Sequence, residues 1–332
     1  MTTPAGTGAR ATDRLRQAWR AVAVDEVDMA VRVGSVVLPN PVMTASGTAG
    51  HSDELDAYFP LGELGAVVVK SLSTAPWPGN PPPRLHQTTT GMLNSVGLQG
   101  PGVEAWLTDD LPRLAATGAR VVASIWGERA SDFAAAASLL TGSAGLSAVE
   151  INVSCPNIED RRKIFAHSPS ATAEVVSAVA DACPGLPRWV KLSPTVADLA
   201  EVAAAALGAG ADALTLINTV LAMAIDLERR RPVLGSGPAG GGLSGPAVHA
   251  VAVRAVFDVR AALPDVPIVG VGGVGCGEDA VELIMAGADA VQVGTATFRD
   301  PRAPLAVLRG IEAWCARRGV RRVSDLKGSA HD

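Results

Sequence analysis

Apolar positions fall into short continuous runs: PVMTA (41–45), AVVVK (66–70), RVVAS (120–124), AVEINV (148–153), RWVKL (188–192), ALTLIN (213–218), PIVGVG (267–272) and AVQVG (290–294). Runs of this kind, rich in β-branched residues and separated by Ala-rich stretches of helical period, mark strands buried on both faces and joined by helices. Eight in one chain predict an α/β fold, a closed (β/α)8 TIM barrel with inserted loops at its C-terminal face. The two long inserts, 71–119 and 219–266, contain APWPGNPPPR (75–84) and SGPAGGGLSG (236–245), both too rich in Pro or Gly for helix and read as loops. Residues 29–332 are expected to form a single barrel, with residues 1–28 an N-terminal extension. Within it TDRLRQAWRAVA (12–23) suits a short helix with Leu15, Trp19 and Val22 on one face, packed on the barrel bottom, docked on a surface or frayed as a tail.

Composition narrows the class. With 332 residues, 18% charged and a net charge of −5, the chain is long enough for a large core and carries no electrostatic footprint for nucleic acid. No run reaches the roughly 18 apolar residues of a membrane span, and the start lacks a signal peptide's apolar core, so a cytoplasmic protein is expected. Its four cysteines, Cys155, Cys183, Cys276 and Cys315, form no CxxC pair, and no metal site is expected. Of 28 basic residues only four are Lys, and two of these, Lys70 and Lys191, end apolar runs.

Barrel enzymes build their sites from polar residues at the C-terminal ends of strands. Here those ends supply Ser46, Lys70 and Ser71, Ser124, Asn152 to Asn157, Lys191, Asn218 and Thr219, Gly272 and Gly273, and Gly294 and Thr295. The glycine-rich turns GVGGVGCGED (270–279) and VGTATF (293–298) follow the seventh and eighth runs, where barrels bind phosphate; plain turn chemistry is the alternative. A lone ammonium at a strand end is costly without an anion, so Lys70 and Lys191 point either to an anionic ligand or to an internal Asp or Glu. Cys155 is a candidate base for a proton α to a carbonyl, or else a small buried hydrophobe.

Together these stretches resemble the dihydroorotate dehydrogenase family, specifically its class 1B branch. The resemblance covers residues 30 to about 325 and rests on NPVMTASGT (40–48), GNPPPR (79–84), GMLNSVGLQ (91–99), INVSCPN (151–157), VKLSPTV (190–196), INTVLAMAID (217–226), GGLSGPA (241–247), GVGGV (270–274) and VGTA (293–296), in family order. It implies an FMN-containing barrel that oxidises dihydroorotate to orotate in pyrimidine biosynthesis, with Cys155 as the base. It further implies substrate binding by Lys70, Asn94, Gly97, Leu98, Asn152, Asn157, Asn218 and Thr219. For FMN it implies Ser46, Lys70, Ser71, Ser124, Asn152, Lys191, Ile217, Gly245, Gly272, Gly273, Gly294 and Thr295. A homodimer is expected, and class 1B implies a second subunit carrying FAD and a [2Fe–2S] cluster that passes electrons to NAD.

Several positions depart from the family pattern. The loop after SCPN carries Arg161 and Arg162 where glycines are usual, the third run ends in ASIWG with Ser124 in place of an asparagine and Trp126 in place of a smaller residue, and GLQG ends on Gly100. These departures motivate an alternative, the same flavin chemistry on another dihydropyrimidine or cyclic amide. A second alternative is a non-catalytic phosphate-binding barrel.

Overall fold

The computed structural model describes residues 21–154 and 164–331. Each of the eight apolar runs contains a strand: β1 (Val42–Thr44), β2 (Val67–Val68), β3 (Val121–Ile125), β4 (Leu146–Asn152), β5 (Arg188–Leu192), β6 (Ala213–Leu216), β7 (Ile268–Val271) and β8 (Ala290–Val293). All are parallel neighbours in the order β1-β8-β7-β6-β5-β4-β3-β2. The ring closes between β1 and β2 through a parallel bridge at Met43 and Ala66, where Gly65 donates its N–H to the Val42 carbonyl at 2.8 Å. This is the (β/α)8 barrel that the sequence predicts.

Among the described residues seven helices form the outer ring: α1 (Leu111–Ala116), α2 (Ala130–Leu140), α3 (Pro169–Ala182), α4 (Leu199–Gly208), α5 (His249–Ala262), α6 (Gly277–Ala286) and α7 (Ala303–Arg318). Their ends follow local chemistry. The Ser168 side chain accepts from Ala171 N–H ahead of Pro169, the Asp198 side chain accepts from Glu201 N–H, and Gly319 in the left-handed conformation ends α7; each such N-cap is worth about 1 kcal/mol. Helices α6 and α7 touch through glycines, since a Cβ on Gly277 would lie 2.6 Å from Gly310 Cα.

The two mouths of the barrel are finished differently. At the N-terminal end a hairpin, Val31–Val33 with Val36–Leu38, buries Val33 and Leu38 completely, and its turn glycine Gly34 abuts the carbonyl of Asp212, one residue before β6. Residues 22–28 lie against the C-terminal part of the chain, Val22 N–H donating to Ala316 and Asp28 N–H to Arg321. At the C-terminal end the two inserts are not simply loops. They pair as a four-stranded antiparallel sheet in the order Val220–Ala222, Gly241–Ser244, Met92–Asn94, Leu85–Gln87. The predicted loop over 236–245 therefore contributes a strand of that sheet, one that pairs with the GMLN segment.

Candidate active site

A cavity of about 420 Å³ opens between the C-terminal ends of the barrel strands and this antiparallel sheet. Its size falls in the ~300–1,000 Å³ range of small-molecule sites. It is lined by fifteen of the residues singled out in the sequence: Ser46, Lys70, Ser71, Asn94, Leu98, Asn152, Lys191, Ile217, Asn218, Thr219, Gly245, Gly272, Gly273, Gly294 and Thr295. Two others do not line it. Gly97 packs against Asn80, where a Cβ would fall 2.6 Å from the amide carbon, and Ser124 is wholly buried one step behind Ser71. Cys155, Asn157, Arg161 and Arg162 lie outside the described residues.

The polar lining is cross-linked between strand ends. Asn218 donates from its side-chain amide to Asn152 Oδ1 at 3.0 Å, and Asn152 donates in turn to Ser71 Oγ at 3.2 Å. Ser71 shares hydrogen bonds with Ser46 at 3.1 Å and Ser124 at 2.9 Å. Asn218 Oδ1 accepts from Thr219 N–H at 2.8 Å. The consequence is orientation: two asparagines and three serines from five strand ends, with the backbone N–H of Thr219, hold each other's rotamers before any ligand arrives.

The cations stand on two sides of this network. Lys70 is half-buried and lines the cavity, its Nζ close to the backbone of Gly47. Lys191 is 5% exposed and has an internal counter-charge: its Nζ is 3.8 Å from Oε1 of Glu150, which is 0% exposed. At 3.8 Å this is a coulombic contact beyond hydrogen-bond range. The other carboxylate oxygen of Glu150 accepts from Gln292 Nε2 at 2.9 Å. Thus of the two anions considered for Lys191, an internal acid is present, while the ammonium still faces the cavity.

Sequence reasoning passed over several residues here. Glu150 and Gln292 are polar residues in the middle of the apolar runs AVEINV and AVQVG, a signal that the chain plainly carries. Gln87, at the end of an insert strand, Thr88 and Thr89, from the turn that follows it, and Phe298 and Arg299 after β8 also line the cavity. His51 is a further case. Burial foremost, and then the Lys70 ammonium, hold its imidazole below the ordinary value of 6.5. Its Nε2 is buried with no hydrogen-bond partner among the described residues, and a Cβ at Gly100 would meet that nitrogen at 3.2 Å. The glycine that ends GLQG thus accommodates His51.

The fit to a flavin mononucleotide follows from the donor set. At one end Gly272, Gly273, Gly294 and Thr295 line the cavity in the turns after β7 and β8, the part of a barrel suited to a phosphate. Gly273 has φ +71°, and a Cβ there would strike His249, so only glycine allows this close turn. At the other end lie Lys70, Lys191 and the amide network, which suit a ring edge rich in acceptors that gains negative charge on reduction.

Residues 28–314 match the family model for dihydroorotate dehydrogenase. The chain is 48% identical over 306 residues to a protein of Desulforudis audaxviator named dihydroorotate dehydrogenase B (NAD(+)), catalytic subunit, covering 92% of this chain and 98% of the relative. Proteins of the same name from Trichlorobacter lovleyi (46% identical; 91% of this chain, 98% of the relative) and Alkaliphilus metalliredigens (44%; 92% and 99%) are similar throughout. With its fold, its cavity and these matches in agreement, the chain belongs to the dihydroorotate dehydrogenase family.

Proposed function

We propose that this chain is the catalytic subunit of a class 1B enzyme that oxidises dihydroorotate to orotate in pyrimidine biosynthesis, with FMN in the cavity above the barrel. The observation that carries the site assignment is the convergence of Lys70, Lys191 and the Ser71–Asn152–Asn218 network on one cavity that also reaches the glycine turns after β7 and β8. Gly272, Gly273, Gly294 and Thr295 would hold the phosphate, and Ser46, Lys70, Lys191, Ile217 and Gly245 the ring system and its linker. Bound there, FMN supplies the acceptor for a hydride from the substrate carbon next to the one that loses a proton.

The chain's own residues supply the rest. Lys70, Asn94, Leu98, Asn152, Asn218 and Thr219 bind a flat ring bearing a carboxylate, two carbonyls and two ring N–H groups, a pattern to which amides can both donate and accept. Gly97 and Asn157 complete the set that the family pattern assigns to substrate. Cys155 takes the proton as thiolate, and ammonium groups near a thiol favour that form. Ser124 acts from behind Ser71, which it touches at 2.9 Å. The name borne by the relatives supports a partner subunit, which we assign as the FAD and [2Fe–2S] carrier that passes electrons to NAD.

Dye-linked turnover tests substrate and base together. FMN-loaded protein is expected to turn over dihydroorotate and leave dihydrouracil untouched. Cys155→Ser is expected to lose at least about a hundredfold at neutral pH and to regain part of that at higher pH, because a hydroxyl is the weaker base. Turnover of dihydrouracil with dihydroorotate inert would select the alternative cyclic-amide reading, and an unchanged Cys155→Ser would remove the thiol from the mechanism.

A further inference from the structure

Glu150 is a charged residue that the chemistry above does not use. It lies on β4 two residues before Asn152, so both side chains point to the same face, and Asn152 lines the cavity while Glu150 is one layer deeper inside the barrel. It is 0% exposed. A carboxylate removed from water carries a penalty of several kcal/mol unless charge and hydrogen bonds compensate it. Its compensation is divided between two residues. Gln292 on β8, opposite β4 in the ring and also 0% exposed, donates to Oε2 at 2.9 Å. Oε1 has no hydrogen-bond partner among the described residues and faces Lys191 Nζ at 3.8 Å.

The arrangement is restrained. An unobstructed ammonium and carboxylate in a dry interior close to about 2.8 Å. Here the amide of Gln292 tethers one oxygen across the barrel while Lys191 extends to the cavity wall, so the pair stays open. The ammonium is therefore only partly neutralised from below. Whatever occupies the cavity meets a cation whose effective charge depends on where Gln292 holds the carboxylate.

We propose that Glu150, tethered by Gln292, is a positioning residue that limits the positive charge Lys191 presents to the cavity, and so sets how readily a flavin bound there accepts electrons. The inference rests on the placement of FMN proposed above and goes beyond it by giving the buried pair a tuning role. It requires opposite effects from two isosteric or near-isosteric changes. Glu150→Gln removes the opposing charge, leaving Lys191 to favour the reduced, more anionic flavin. Gln292→Met releases the carboxylate to close on Lys191, which disfavours it.

The test is an anaerobic redox equilibration of FMN-loaded protein against a reference dye. Relative to the unaltered protein, the reduced-to-oxidised flavin ratio at a fixed dye ratio is expected to rise about tenfold in Glu150→Gln and to fall severalfold in Gln292→Met. Glu150→Asp, which retains the charge, is expected to lie between unaltered protein and Glu150→Gln. A purely structural role would move both variants the same way or neither, and either result overturns the proposal. If Glu150→Gln does not fold, Gln292→Met decides alone: a ratio that rises or stays constant overturns it. Unaltered protein that takes up no FMN would instead sink the cofactor placement, which separates the two failures.

Discussion

His51 shows how a residue at the edge of the site shapes the behaviour of the whole protein. Its imidazole is held below 6.5 by burial and by Lys70, so the folded state prefers it neutral. In the unfolded chain His51 takes up its proton first as the pH falls. Its contribution to stability is thus complete above about pH 6.5 and is lost as pH drops through the lower folded value. His167 is shifted the same way by burial. Asp110, raised above 3.8 mainly by burial, acts in the opposite sense and in a more acidic window. Urea midpoints are expected to drop between pH 7.5 and 5.5, and to drop less in His51→Gln; an equal drop in both would remove His51 from that linkage. The linkage is not legible in the sequence because it depends on Gly100, in the first insert, and Lys70, at the end of an apolar run, both coming close to His51. Lys70, Lys191, Asn152 and Asn218 were legible there, since each is a polar residue closing an apolar run. Glu150 and Gln292 carried the same kind of signal in mid-run, but what they pair with depends on which strands stand opposite in the ring.

At the scale of elements, the eight barrel strands could be read directly because parallel strands buried on both faces leave continuous β-branched runs. The four-stranded antiparallel sheet over the mouth could not. Its strands are at most four residues long, contain Gly, Ser and Asn, and come from two inserts; the Asn94 side chain donates to Gly242 across 148 residues of sequence. Short, glycine-rich strands carry little periodicity, and only the finished barrel brings the inserts together. The outer ring makes its own prediction. Helices α6 and α7 approach through Gly277 and Gly310, and a Cβ on Gly277 would lie 2.6 Å from both Gly310 Cα and Ile311 N. Gly277→Ala is expected to cost ~1–3 kcal/mol through overpacking, despite alanine's better helix propensity. A thermal scan checks this: a lower Tm is expected, and a raised one would mean that the helices part freely.

For the whole molecule, one surface stands out. Leu221, Met223, Ile225 and Leu227 alternate along the second insert with their side chains outward, Leu227 being 82% exposed. Several exposed apolar side chains on one segment suit a surface that another molecule covers. We propose that it belongs to the homodimer that the family resemblance implies. Light scattering is expected to give twice the chain mass, and Leu227→Asp with Ile225→Asp to give the monomer; a monomeric unaltered protein at micromolar concentration would contradict the assignment. No helix among the described residues is long and apolar enough to cross a membrane. The barrel, the mouth sheet and the cations between them support the proposal that this cavity holds FMN and brings dihydroorotate to it. An anaerobic absorbance titration of the FMN-loaded protein tests it most directly. Stoichiometric bleaching of the flavin by dihydroorotate, reversed by an added electron acceptor, is the expected result. A protein that stays colourless with FMN, or a flavin that stays oxidised in excess dihydroorotate, would contradict the account.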